Sequence, residues 1–125
     1  MAELSVVVPG LSLSNPLMLA SGIQGGSAAA LHRVASSRCG GLVSKSIGPL
    51  AREIYPGPVC VEAMDTVILN AMGLPNPGVD AFTEMMKENE FSKPMLVSIF
   101  GPDPESFAKI ALQMEMAGAT ALELN

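Results

Sequence analysis

A lysine set between two serines, Ser44-Lys45-Ser46, stands at the end of an apolar run that begins at Leu42. An ammonium group there is costly unless something accepts its protons. Two readings stand together: Lys45 enters a pocket that holds an anionic or electron-rich group, or it snorkels past the strand end into water. Neighbours along a strand alternate faces, so Lys45 is expected to point away from Ser44 and Ser46. Further along comes "NAMGLPNPG", residues 70–78. Asn70 carries both amide donors and an acceptor. Beyond it, the N–H groups of Met72, Gly73 and Leu74 can converge on a carboxylate. Pro75 and Pro77 stiffen this ledge and reduce the entropy lost on binding. The same stretch also reads as a turn before a helix, capped by Asn76. Earlier, "LASG" (19–22) offers Ser21 and nearby N–H groups to a flat polar ring edge, or is an ordinary strand-to-loop turn. Gly22 lets that backbone turn without Cβ interference.

Other reactive residue types lack the surroundings that reactivity needs. His32, the one histidine, lies in a helical pattern with no carboxylate near it in sequence, and reads as a surface or satisfied residue. Cys39 reads as a small buried side chain. Cys60 has only Glu62 close by, which raises rather than lowers a thiol pKa. Glu62 and Asp65 read as loop charges. The Met85-Met86 and Met114/Met116 pairs read as helix packing rather than a soft-metal site. No metal site is expected.

These residues must be positioned by a chain of 125 residues, 49% hydrophobic, 15% charged and 4% aromatic, with nine Met in an aliphatic core. That composition is globular, not disordered. The net charge of −5 comes without any run of Lys or Arg, which disfavours nucleic acid and anionic membranes as partners. No apolar stretch approaches the roughly 18 residues of a spanning helix. The opening Met-Ala-Glu-Leu-Ser lacks a signal peptide's basic start, and the two cysteines make no disulfide framework. The expected location is cytoplasmic.

Strand and helix patterns alternate. Leu4–Val8 and Leu11–Ser14 around Pro9-Gly10 predict a short hairpin. Residues 16–20 predict a strand covered on both faces, and Ser27 caps a helix to about Ser37 that Gly40-Gly41 ends. Residues 42–47 predict a second core strand. An excursion with short strands near 59–63 and 66–69 follows. Asn76-Pro77 opens a helix to about Glu90. Residues 95–100 form the third core strand, Asp103-Pro104 starts a helix with Phe107, Ile110 and Met114 inward, and 119–124 form the fourth. The expectation is an α/β chain forming the N-terminal half of a (β/α)8 TIM barrel, residues 1–125, since a complete barrel takes ~250 residues. A small doubly wound sheet of four strands is the competing arrangement.

The ordered series "LSLSNPLMLASG", "GLVSKSIG", "NAMGLPNPG", "VSIFG" and "ALELN" resembles the N-terminal half of class 1 dihydroorotate dehydrogenases over essentially the whole chain. The resemblance implies an FMN-containing barrel, an oxidoreductase that converts dihydroorotate to orotate in pyrimidine biosynthesis. It implies that Ala20, Ser21 and Gly22 lie along the flavin ring, that Lys45 contacts flavin and substrate, and that Ser46 contacts flavin. Asn70 and the backbone of Met72, Gly73 and Leu74 would hold the orotate carboxylate and ring. Asn125 would touch FMN and substrate. Family members often carry Asn where this chain has Ser98, a shorter flavin-facing side chain. A base removes a proton from substrate C5 while hydride leaves C6 for the flavin. That base, a Cys or Ser, is expected beyond Asn125, so no catalytic base falls in this chain, and the chain alone is expected to be inactive. The electron acceptor is left open between fumarate, NAD through an iron–sulfur electron-transfer subunit, or another oxidant, with NAD-linked members the closer in likeness. A homo-oligomer is expected. A dihydropyrimidine dehydrogenase-like flavin barrel, or a non-catalytic half-barrel that pairs with another chain, are the other readings.

Overall fold

A computed structural model describes residues 3–125. Met1 and Ala2, where the reading of a missing leader begins, lie outside them. Strands β1 (Val6–Val8) and β2 (Leu11–Leu13) pair as the predicted antiparallel hairpin, Val6 opposite Leu13 and Val8 opposite Leu11. Gly10 turns it at φ +79°, the left-handed conformation that a tight hairpin turn requires. Next, β3 (Met18–Leu19) leads through a 3-10 turn at Ile23–Gly25 and helix α1 (Ala28–Ala35) to β4 (Gly41–Val43). A second hairpin, β5 (Cys60–Met64) against β6 (Val67–Asn70), precedes α2 (Val79–Glu88). Then follow β7 (Met95–Ile99), α3 (Pro104–Met116) and β8 (Ala121–Leu124).

The main sheet is parallel, in the order β3-β4-β7-β8. A doubly wound sheet reverses its strand order at a switch point. Here the order follows the chain throughout, so each crossover steps the same way. With right-handed crossovers this puts the helices on one face. Leu31 of α1, Phe82 and Met86 of α2, and Ile110 and Met114 of α3 share one core cluster with Leu42, Met95, Val97 and Ile99. That is the wall of a (β/α)8 barrel, and it replaces the doubly wound alternative.

Local chemistry sets the helix starts. The Ser27 hydroxyl accepts from the Ala30 N–H at 3.3 Å. The Asp103 carboxylate accepts from the Ser106 N–H at 2.8 Å, with Pro104 in the first turn. Both are side-chain caps of the usual kind. Three expectations are corrected. Gly40-Gly41 does not close α1: the helix ends at Ala35 with Ser36 as its cap, and Gly41 already belongs to β4. Asn76 does not cap α2: Gly78, at φ +83°, takes that position without a side-chain bond, and the Asn76 oxygen accepts from the Gly78 N–H in a turn upstream of the helix. The strand predicted over 42–47 keeps regular pairing only through Val43.

Candidate functional site

The carboxyl ends of the four parallel strands bring together side chains far apart in sequence. Ser21 follows β3, Ser46 follows β4, Ser98 lies within β7, and Asn125 follows β8. Ser46 Oγ is the node. It lies 3.3 Å from Ser21 Oγ and 3.0 Å from Ser98 Oγ, and it accepts from Asn125 Nδ2 at 3.0 Å. Ser46 and Ser98 are buried, Ser21 is half-buried and Asn125 is exposed. The cluster therefore runs from the sheet interior to the surface. This end of a parallel barrel wall is where (β/α)8 proteins build their sites.

The break in β4 makes the node possible. Leu42 pairs with Met95 and Val43 with Leu96, but Ile47 bridges Ile99, one residue out of that register. An extra residue is thus accommodated between 44 and 46, a bulge in a parallel pair. Side chains and loop backbone take over the lost ladder bonds. Ser44 Oγ accepts from the Ser98 N–H at 3.0 Å and donates to the Lys45 carbonyl at 2.9 Å. The Lys45 N–H leaves the sheet and donates to the Gly25 carbonyl at 2.9 Å. Gly25 is obligatory at this approach, since a Cβ there would stand 2.6 Å from Lys45 N. Simple alternation therefore does not carry across the serines. Ser44 and Ser46 both reach Ser98, one through its N–H and the other through its hydroxyl. Lys45 itself is half-buried, with its stem beside Gly26, and it joins no salt bridge among the described residues.

The 70–78 ledge is built against residues 52–59. The Ala71 N–H donates to the Val59 carbonyl, the Tyr55 N–H to the Met72 carbonyl, and Arg52 and Asn76 exchange backbone bonds in both directions. Gly73 (φ +80°) and Leu74 (φ +52°) are consecutive left-handed residues, and the Tyr55 ring packs where a Cβ on Gly73 would lie. Among the described residues, the N–H groups of Met72, Gly73 and Leu74 donate to no protein acceptor. They stand ready for a ligand's acceptor atoms. Asn70 is exposed at the end of β6, and no hydrogen bond joins it to Lys45 among the described residues. Ala20 is exposed and Gly22 half-buried beside Ser21.

Sequence reasoning missed Ser44 as the strut of the bulge, Asn76 as a tie, and Tyr55 as a backing. The Asn-Pro-Gly order was a signal for the second; nothing local marked the third. His32 Nε2 lies 3.0 Å from Asn89 Oδ1 and its ring lies tilted against Phe91, and neither partner belongs to this cluster. Cys39 is half-buried, not fully buried as expected, and Cys60 is exposed. Among the described residues no cluster of His, Cys, Asp and Glu could hold a metal ion, and no helix is long and apolar enough to cross a membrane.

Comparison with known proteins adds independent findings. The family model described as dihydroorotate dehydrogenase matches residues 3–125. The catalytic subunit of dihydroorotate dehydrogenase B (NAD(+)) of Pyrococcus furiosus is 45% identical over 116 residues, covering 93% of this chain and 38% of that protein. Its counterpart in Thermoplasma acidophilum is 44% identical over 126 residues, covering 100% of this chain and 42% of that one. The chain thus spans about two fifths of the length of the curated relatives it matches. In fold, it is similar to the crystal structure of DHODH in complex with ferulenol from Eimeria tenella, with a TM-score of 0.68 at 19% identity, over 98% of this chain and 36% of that one.

Proposed function

Since this chain belongs to the dihydroorotate dehydrogenase family, we propose that the protein carrying it oxidises dihydroorotate to orotate with FMN, as a class 1 enzyme of the NAD-linked B type. The observation that carries this reading is the convergence of Ser21, Ser46, Ser98 and Asn125 from four strand ends into one hydrogen-bonded cluster. Its hydroxyls and amide, with the backbone around Ala20 and Gly22, fit the polar edge of a flavin ring. When bound, FMN supplies the acceptor for the substrate's hydride.

The chain's own residues then have separable tasks. Ser46, held by three partners, fixes Ser21, Ser98 and Asn125 relative to one another against the cofactor. Lys45 presents an ammonium unclaimed by any carboxylate among the described residues; it offsets negative charge that develops during oxidation, an electrostatic role. The free N–H groups of Met72, Gly73 and Leu74 bind the substrate carboxylate, and the Asn70 amide orients the ring. This requires Lys45 and Asn70 to share one pocket mouth. The proton-accepting base and the grip on the FMN phosphate come from outside these residues. The relatives are named as NAD-linked catalytic subunits, which supports an electron-transfer partner subunit; iron–sulfur chemistry in that partner, a homo-oligomer and a cytoplasmic location complete the proposal.

The test is made on the full-length enzyme. It should purify yellow and reduce a dye with dihydroorotate. Lys45→Met should lower kcat by about a hundredfold, the scale of losing one preorganised charge-stabilising group, while flavin stays bound. Reduction of uracil or thymine without dihydroorotate oxidation would replace this reading with a dihydropyrimidine dehydrogenase-like one. A colourless, inactive protein would leave only the non-catalytic half-barrel.

A further inference from the structure

Asn76 is buried (8% exposed), and its side chain ties its own turn, residues 74–78, to the backbone at Gly48. Its Oδ1 accepts from the Gly48 N–H at 3.1 Å and from the Gly78 N–H at 2.9 Å. Its Nδ2 donates to the Leu74 carbonyl at 3.0 Å. Gly48 lies just past the bulge that carries Lys45 and Ser46. Leu74 ends the row of unused N–H groups. Gly78 caps α2. One planar amide thus fixes the distance between the lysine-bearing strand end and the ledge.

Leu74 gives that tie its importance. A leucine in the left-handed region, here at φ +52°, is strained and persists only where its surroundings over-determine it. Its N–H direction is therefore not a local preference of the chain. Asn76 holds Leu74 from one side through the carbonyl. The Arg52 backbone pair and the Tyr55 ring on Gly73 close the other side.

We propose that Asn76 is a positioning residue for substrate: it sets the N–H row of residues 72–74 at a fixed distance from Lys45 and touches neither substrate nor cofactor itself. The inference rests on the reading of that row as the substrate-carboxylate site. It predicts a particular split. Losing the tie loosens the ledge, so substrate binding suffers while the flavin cluster, held by other bonds, does not.

The experiment compares wild-type and Asn76→Ser enzyme as the FMN-loaded full-length protein. Serine is uncharged and keeps an oxygen for the Gly78 N–H two residues on, but it cannot also reach Gly48 and Leu74. Expected are a roughly tenfold rise in both dihydroorotate KM and orotate Kd, the latter read by flavin difference spectra, with kcat and flavin content within about twofold of wild type. A merely structural residue would lower the melting temperature and the active fraction and leave orotate Kd unchanged; that outcome overturns the proposal. If the serine variant does not fold, Asn76→Asp, which is isosteric and keeps both acceptor bonds, is read the same way. If neither folds, Asn76 is a folding element and the proposal is overturned. Wild-type enzyme that fails to bind orotate refutes the substrate reading first and this inference with it. Normal wild-type binding with unaltered variant binding refutes this inference alone.

Discussion

At the scale of single residues, Ser46 shows how much depends on one hydroxyl. It has 5% exposure and partners on three other strand ends. Ser98 is wholly buried, and its hydroxyl has Ser46 as its partner. Ser46→Ala leaves that hydroxyl orphaned, which costs about 1–3 kcal/mol. Ser46→Ala and Ser98→Ala together should cost less than the sum of the two, because the buried Ser98 orphan is then gone, while Ser21 and Asn125 can reach water. Urea unfolding of the full-length protein measures both, and strict additivity would refute the coupling. The serines at 44 and 46 were legible as polar residues in an apolar run, and Asn125 through family likeness. That they meet through Ser98 was not, because alternation fails where the bulge adds a residue.

Among the elements, α3 offers the cleanest test of local coding. Asp103 is fully exposed, and its carboxyl is held below the usual carboxylate range, chiefly by the Ser106 backbone N–H and then by the Ser106 hydroxyl. A depressed folded pKa contributes stability that is complete above the unfolded value, about 4, and is lost as pH falls through the folded one. Asp103→Ala should therefore lower the melting temperature at pH 7. The gap to wild type should narrow steadily below about pH 4. A gap that is constant with pH would show that the cap acts without its charge. The starts of α1 and α3 were readable because a Ser or Asp side chain reaches an N–H three residues on. The start of α2 was displaced because Asn76 is engaged by Gly48, a residue on a different strand end.

At the scale of the whole molecule, the parallel sheet has open edges at β3 and β8 among the described residues. Large apolar side chains stand exposed beside them: Leu17 at 70%, Leu124 at 72%, and Leu112 of α3 at 59%. Open edges and apolar patches of this kind associate. The isolated 125-residue chain should therefore elute above its monomer mass in light scattering, carry little or no flavin absorbance, and turn over no dihydroorotate. A flavin-loaded monomer would contradict this.

The sequence by itself determined the parallel βα order, the first hairpin, the two short strands of the excursion and two helix caps, because these follow from short-range periodicity and turn chemistry. Only the tertiary structure decided that the strands stay in chain order, that β4 slips by one residue beside Lys45, and that one asparagine ties the strand end to the ledge. Each of those depends on backbone groups distant in sequence competing for the same hydrogen-bond partners, and no local pattern records which of them wins.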